Sequence, residues 1–425
     1  MFHKIIYLVG EYIKNPLIRK KFDELKQTEY ASLETLEALQ LKRLKRLLYH
    51  ARNNTHFYAQ RLKDIDIEHI TLERLKDIPT LTKQELYKYN KEIHTKYDNE
   101  KLVKSETSGS TGEALVFFRT KKWDAYHRAA QLRGYSWYGV NPWDKNIYFW
   151  GFNPNWKQKL KMRVLDFLMN RYRIFSFDEN EIKKVTKILK KCSYIEGYSS
   201  AIFTLAQSLD KMELSFRQLK LVKGTSEKIY DSYQDIIKKV FHTKMVSEYG
   251  AAEAGIIAFE CTHGNMHTVM ENVIVEEIDD KIVVTNLHSY SFPIIRYELG
   301  DYIKLGGHDC PCGRKHMIIE EVTGRIGKKI IGYSLSYPTL TLYYIFKNIA
   351  LNYGIELAYF GVQYIKGKLT IEVLMPTYDI EKLQTYILLE ADKYFGNDMD
   401  IELKFVYDIE RKNKKVKDFE SYIED

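Results

Sequence analysis

The chain has 425 residues, 45% of them hydrophobic, with 65 Lys and Arg against 57 Asp and Glu for a formal net charge of +8. That length predicts two to four structural units and a sizeable core, and 8 prolines and 22 glycines spread along it exclude a long disordered linker. The basic balance would suit nucleic acid, a membrane surface or an anionic substrate. However, the lysines alternate with acids throughout, and no Arg-rich tract, zinc-finger spacing or RNA-binding signature occurs, so nucleic acid is not an expected partner.

Four cysteines do not make a disulfide scaffold, so a reducing cytoplasm is the expected compartment. The apolar run from Met1 to Val9 is cut short by Glu11 and Lys14, too soon for a signal sequence. No stretch reaches the ~20 apolar residues that would cross a bilayer. Residues 1–20 could form an amphipathic basic helix on a membrane surface; a helix docked on the rest of the protein is the simpler expectation.

Residues 20–95 read as helical, with Leu33, Leu36, Leu39, Leu44, Leu47 and Leu48 at helical spacing. Thr82 and Glu85 form a capping box just after Pro79. At Val103 the pattern changes to the small polar run Thr107-Ser108-Gly109-Ser110-Thr111-Gly112, followed by strand composition over 114–118. An aromatic-rich helix over 123–138 and a strand over 147–150 come next. From 180 to 300 strands (194–197, 219–222, 244–248) alternate with helices (199–209, 229–241), which predicts an α/β domain with a mainly parallel sheet. Residues 269–305 are strand-rich, as a small β subdomain would be. A boundary is expected after Gly324-Arg325, giving a large domain over 1–325, with 1–100 as its helical lead-in, and a small mobile α+β domain over 326–425. The latter reads helix (338–351), strands (358–364 and 368–374, turning at Gly367), helix (379–395) and strand (401–407).

Four segments carry chemistry. Amides freed by glycine in 107–112 can wrap an oxyanion, with hydroxyls as further donors; no Lys-Ser/Thr follows, so this is not a Walker loop, and a plain flexible turn is the competing reading. Ser247-Glu248-Tyr249-Gly250-Ala251-Ala252-Glu253 follows a strand end, where ligands gather in open α/β sheets. There Tyr249 can stack on a base and Glu253 can coordinate magnesium, or the segment is an ordinary turn with a solvated Glu. Gly300-Asp301 offers a carboxylate able to accept from two ribose hydroxyls. Arg325, in Thr323-Gly324-Arg325, could bind ribose or phosphate.

In this order the four segments resemble the adenylate-forming superfamily, in the branch of the phenylacetate–CoA ligases and capsular-polysaccharide biosynthesis enzymes. The resemblance spans nearly the whole chain, including the lead-in Leu75-Lys76-Asp77-Ile78-Pro79-Thr80-Leu81-Thr82-Lys83. It implies ATP and Mg2+ as cofactors and a small carboxylic acid as substrate, activated as its acyl-adenylate and passed to CoA or to another acceptor. Ser108, Ser110 and Thr111, with Gly109 and Gly112, would hold the triphosphate. Ser226 and Glu227 would flank the adenine, and Tyr249, beside Gly250, would pack on its plane. Glu253 would hold magnesium, Asp301 the ribose hydroxyls with help from Arg325, and Gly197-Tyr198-Ser199-Ser200 would border the acyl pocket. The chain departs from the family where Glu113-Ala114 replaces a Lys-Pro after the loop. It departs again at the hinge Ile326-Gly327-Lys328-Lys329, which lacks an acidic pair. The lysine that the family brings to the α-phosphate matches Lys415, or Lys414 beside it, in a stretch that otherwise reads as a solvated basic tail. Two rivals remain: adenylation followed by transfer to an amine or sugar without CoA, and a non-catalytic nucleotide-binding descendant of an enzyme.

Three of the four cysteines gather with histidines. Cys310-Pro311-Cys312 is a tight knuckle, and Cys261 and His267 lie on the other side of an expected β hairpin, so these four side chains make a closed tetrahedral set for a structural zinc. His263 lies too near Cys261 to be preferred, and a reduced thiol cluster is the alternative. Cys192 reads as a small core residue. His50, His56 and His127 read as packed or solvated, with His127 a candidate at the border of the acyl pocket.

Overall fold

The leucine stripe does what its spacing demands. In the helix Leu33–Asn54, capped by the Ser32 side chain, Leu36, Leu44, Leu47 and Leu48 are buried. The Thr82–Glu85 box is present with both of its bonds. The computed structural model describes residues 1–95, 101–106, 115–149, 156–174, 179–226, 229, 231–325, 330–334, 336–337, 340–355, 357, 359–374, 378–407 and 419–423. They fall into two compact units, one made of Met1–Thr107 and Val116–Gly324, the other containing Arg325–Asp425.

The larger unit is organised on an eleven-stranded sheet. Its parallel half runs, side by side, Arg171–Arg173, Asn146–Phe149, Tyr194–Tyr198, Leu221–Thr225 and Met245–Ala251. The sheet then continues through Gly255–Glu260, Met266–Thr268, Ile318–Arg325, Tyr297–Leu305, Lys281–Asn286 and Val273–Ile278. The strand-rich stretch is thus joined to the main sheet. Helices Glu179–Leu189, Ser199–Lys211 and Asp231–Phe241 pack their apolar faces on one side of the parallel half, around Ile195, Val222, Leu205 and Ile237. Helix Lys121–Trp137 covers the other side, with Tyr135 against Tyr194, Leu221 and Phe259. Helices Trp156–Leu168 and Glu179–Leu189 and strands Arg171–Arg173 and Phe419–Ser421 are among the elements with no counterpart in the pattern reading. The small unit carries a four-stranded sheet in the order Asp400–Val406, Lys368–Leu374, Tyr359–Ile365, Phe419–Ser421, and helices Leu340–Tyr353 and Ile380–Phe395 bury Ile345, Ile349, Leu383 and Ile387 with it.

The N-terminal helices are fastened by buried charge. Arg133, on the covering helix, donates to both oxygens of Glu271 (2.6 and 3.2 Å) and to the Leu25 carbonyl (3.2 Å). The same carboxylate accepts from Thr28 (2.5 Å) and lies 3.1 Å from His316 Nε2. Burial would raise the Glu271 carboxyl, but Arg133 and His316 hold it well below the usual carboxylate range. The lead-in 75–82 is tied down likewise. Leu81 exchanges backbone bonds with Arg296 and Glu298 (2.7 and 2.9 Å), while the Arg296 guanidinium grips Glu276 (3.0 and 2.9 Å) and the carbonyls of Lys76 and Ile78. Helix Phe2–Lys14 rests on its neighbours through His3 and Tyr7. The expected docking is therefore only half right, because the apolar stripe Phe2, Ile5, Val9, Tyr12 and Ile13 faces outward.

His288 gives this assembly a pH dependence. It is buried and stacked on Tyr126 (ring centroids 3.5 Å apart), and its Nε2 lies between Arg43 Nη1 at 3.1 Å, which can only donate, and the Glu271 carbonyl at 3.2 Å, which can only accept. Burial, with Arg43 adding to it, pushes its protonation well below the usual histidine range. A depressed folded value means that the contribution to stability is complete above the unfolded value of about 6.5 and is lost as pH falls below it. Thermal or urea unfolding followed from neutral to acid pH should therefore lose about 1.4 kcal/mol per pH unit below about 6.5 from this residue alone. His288→Gln should flatten that slope, and an unchanged slope would assign it elsewhere.

Candidate active site and metal centre

The parallel strands deliver their loops to one edge, and the sequence explains how they come so close. Gly197 and Gly224 are neighbours in register. A Cβ at Gly197 would sit 2.4 Å from the Phe149 carbonyl, and one at Gly224 would sit 2.5 Å from Ser199 Oγ, so neither position has room for a side chain. Opposite them, under helix Lys121–Trp137, lies a network that sequence reading missed. Lys223 Nζ is 2.8 Å from Glu248 and 3.3 Å from Glu196, and all three residues are buried. Tyr135 donates to Glu196, Arg171 approaches it to 3.8 Å, and Gln131 donates to Glu248 at 3.4 Å. Burial alone would lower the Lys223 ammonium, but Glu248 and Glu196 outweigh it and hold it above its ordinary value. Burial likewise raises Glu196, and Lys223 and Arg171 more than reverse it. The signal was available: Ile195-Glu196-Gly197 and Val222-Lys223-Gly224 each put a charge inside a strand that is otherwise apolar, as parallel strands buried on both faces are.

Directly beyond this network stand the residues singled out by motif. Ser226 ends the Leu221–Thr225 strand with φ of 66°, and Thr225 Oγ1 donates to the Glu248 carbonyl (3.2 Å). Tyr249 donates its hydroxyl to Asp301 Oδ2 at 2.7 Å, which brings two motifs 52 residues apart into contact. Gly250 sits at a register shift, where a Cβ would come within 2.5 Å of the Gly255 carbonyl. Glu253 is buried. The Tyr297 hydroxyl donates to its carboxylate at 3.3 Å, and Asn286 holds its carbonyl at 3.0 Å. Ser226, Tyr249, Gly250 and Glu253 thus lie at or just past the ends of the neighbouring strands Leu221–Thr225 and Met245–Ala251, whereas Asp301 lies within the strand Tyr297–Leu305 of the same sheet and meets them through Tyr249. Arg325 closes the strand Ile318–Arg325. Ser108, Gly109, Ser110, Thr111, Gly112, Glu227, Lys414 and Lys415 lie outside the described residues. His127 faces Gly255, and no partner for its Nδ1 is found among the described residues. Burial, with Arg128, Arg119 and Lys223 adding to it, holds it well below the usual histidine range.

The four proposed metal ligands meet at the far end of the hairpin Gly255–Thr268. One donor atom from each of Cys261, His267, Cys310 and Cys312 lies within 4.8 Å of all the others. Cys261 and Cys310 sulfurs are 3.8 Å apart, and Cys312 Sγ is 3.3 Å from His267 Nε2. A tetrahedral ion with ~2.3 Å bonds to sulfur has edges of about 3.8 Å, close to these two separations, so the four donors are grouped as such an ion requires. His267 Nδ1 lies 3.2 Å from the His316 carbonyl, which can only accept, so Nδ1 carries the proton and Nε2 is left as the ligand. Burial pushes His267 down to about 4, which keeps it neutral at physiological pH. Asn265 donates to Cys310 Sγ at 3.1 Å. Arg314, two residues past the knuckle, pairs with Glu29 and lies over Trp137 at 4.1 Å, which links the cluster to the N-terminal helices. Cys192 stands apart in the core, as expected, its thiol pushed up to about 12 by burial.

No family model matches the chain. Protein CapK of Staphylococcus aureus is 25% identical over 332 residues, which cover 74% of this chain and 73% of that protein. Among solved structures, 2-hydroxyisobutyryl-CoA ligase in its postadenylation state, in complex with an acyl-AMP, superposes with a TM-score of 0.66 at 16% identity, covering 93% of this chain and 91% of the ligase. The same ligase with acyl-AMP and CoA in its thioesterification state gives 0.61 at 17% identity over 93% and 91%. No described helix is long and apolar enough to cross a membrane. The chain has the fold of the adenylate-forming CoA ligases and a sequence related to CapK, so the superfamily resemblance carried by its four motifs stands.

Proposed function

We propose that the protein uses ATP to activate a carboxylic acid as its acyl-adenylate and then transfers the acyl group to an acceptor. The observation that carries this reading is the 2.7 Å bond from the Tyr249 hydroxyl to Asp301 Oδ2. A carboxylate held beside an aromatic ring is what a ribose and its base call for. Asp301 accepts from the ribose hydroxyls, with Arg325 assisting. Tyr249 packs on the adenine between Ser226, Glu227 and Gly250, and Ser108, Ser110 and Thr111, with Gly109 and Gly112, line the triphosphate. An oxygen of the substrate carboxylate attacks the α-phosphorus, and the bond to pyrophosphate breaks. Such chemistry depends on positioning and charge neutralisation. Lys415 supplies cationic charge at the α-phosphate. Glu253 would hold magnesium, which supplies charge neutralisation on the departing phosphates when bound. In the second step a nucleophile displaces AMP. A thiol such as CoA fits the ligases that share the fold, whereas an amine or sugar fits the polysaccharide branch that the motifs resemble. The cysteine–histidine cluster would hold a structural zinc: with four protein ligands no position is open for water.

Pyrophosphate exchange into ATP, run against a panel of aromatic and hydroxy acids, tests the first step. Exchange with at least one acid is expected. Asp301→Ala should lower kcat/KM for ATP by roughly 10- to 100-fold, the loss of one or two hydrogen bonds to a charged group. Tyr249→Phe, which removes only the hydroxyl, should cost less, about 5- to 10-fold. ATP binding without exchange for any acid would favour the non-catalytic reading. AMP release with CoA, hydroxylamine or candidate amines then separates the acceptors. For the metal, elemental analysis should find one zinc per chain. Cys310→Ser or a strong chelator should lower the melting midpoint by at least about 5 °C. A metal-free protein of unchanged midpoint would leave a plain thiol cluster.

A further inference from the structure

The most exposed apolar surface of the large unit lies far along the chain from the site motifs, where helices Phe2–Lys14 and Trp156–Leu168 meet. In the first helix Phe2, Ile5, Val9, Tyr12 and Ile13 fall on one stripe at three- and four-residue spacing, and each is more than half exposed, up to 76% at Ile13. In the second, Leu160, Val164 and Phe167 form another such stripe, exposed by 62%, 55% and 65%. The two run into one another. His3 Nδ1 donates to the Leu168 carbonyl at 3.4 Å, and its ring meets those of Phe2 and Phe167 edge-on at 5.3 and 5.9 Å. Monomeric proteins rarely leave such a continuous apolar patch bare without a use for it.

Beside this patch open two clefts of about 330 Å³ each, which share His3, Lys145 and Asn170. Their charged walls are mostly basic: Lys4, Lys145, Arg163, Arg171, Arg173 and Lys191, against Asp144 and Asp166. Asp166 is already taken by a bidentate bond from Arg173 (3.0 and 3.1 Å), and Lys4 lies over Trp143 at 5.4 Å. An apolar stripe flanked by cations and an indole is what an interfacial helix offers to a bilayer. We propose that this face binds the surface of an anionic phospholipid bilayer, the two stripes entering the interface and the basic clefts receiving phosphate headgroups. A second copy of the chain fits worse, because a two-fold contact would set these basic clefts against themselves. Each Lys or Arg near an anionic leaflet adds to the attraction, which salt should screen.

Flotation of the full chain with vesicles tests this, using phosphatidylcholine alone and phosphatidylcholine mixed with phosphatidylglycerol. The protein should float with the mixed vesicles and not with the neutral ones, and rising salt should release it, whereas inorganic phosphate at matched ionic strength should release it no further. Ile5→Asp with Val9→Asp, both on the exposed stripe, should weaken partitioning by about tenfold or more, as losing two buried aliphatic side chains requires. Lys145→Glu with Lys191→Glu should weaken binding to the mixed vesicles while leaving the apolar stripes intact. Circular dichroism and adenylation in vesicle-free buffer should be unchanged in both variants. The proposal is overturned by absence of flotation with mixed vesicles, or by equal flotation of wild type and the Ile5→Asp, Val9→Asp variant. It is equally overturned by sedimentation velocity showing a dimer that this variant dissolves, since the face would then join two copies.

Discussion

One buried carboxylate organises the large unit. Glu271 receives Arg133 from the covering helix, Thr28 from the N-terminal helices and His316 from the loop that follows the cysteine knuckle, while Arg43 reaches its carbonyl. Three separate stretches of chain therefore share one carboxylate, and a fourth holds the backbone of the same residue. A buried ion pair of this kind adds little stability over a well-packed apolar alternative, yet removing one partner costs ~3–5 kcal/mol because a charge is stranded. What such a hub provides is a single permitted arrangement of the stretches that meet on it. The cluster of Cys261, His267, Cys310 and Cys312 lies against the same hub through the His316 carbonyl, and Arg314 carries the connection on to Glu29.

A second network repeats the principle beneath the strand ends. Glu196, Lys223 and Glu248 sit on three adjacent parallel strands, and with Arg171 they balance two acids against two cations. Held in low dielectric, these charges resist displacement of one strand relative to the next. Ser226, Tyr249 and Gly250 follow within three residues of Lys223 or Glu248, so they inherit that rigidity without being buried themselves. These motif residues stay accessible, while the charges beside them are sealed one to three residues behind.

Local features were readable from the sequence and long-range ones were not. The Thr82–Glu85 box, the leucine stripe and the alternation of strand and helix from 194 to 251 depend on neighbours within a few residues, and they appear as the pattern predicts. Tyr249 and Asp301 were each singled out, but their contact spans 52 residues and no spacing rule announces it. Glu271 carries no local mark, because its meaning lies in partners brought from positions 28, 133 and 316. Helix Trp156–Leu168 was missed for a different reason: with lysines and an arginine between its apolar residues, Lys157 to Arg163 reads as solvated charge. The meeting of Cys261, His267, Cys310 and Cys312 was legible because they form two pairs, each close in sequence, near an expected hairpin.

That last miss bears on how the composition should be read. A net charge of +8 interleaved with acids suggests an evenly basic surface. In the folded chain the acids are drawn inward by preference: Glu29, Asp124, Asp166, Glu181, Glu196, Glu248, Glu253, Glu271 and Glu390 are buried among the described residues, against the cations Lys21, Arg133, Lys223, Arg296 and Arg314. Every carboxylate sealed inside leaves a cation uncompensated outside, unless it takes an Arg or Lys with it as Arg133 and Lys223 are taken. The surface is therefore more basic than the sequence tally implies, and the clefts walled by Lys145, Arg163 and Lys191 are where that excess gathers beside an apolar face. Charge sorting during folding, and not the overall count, is what gives the basic composition a location.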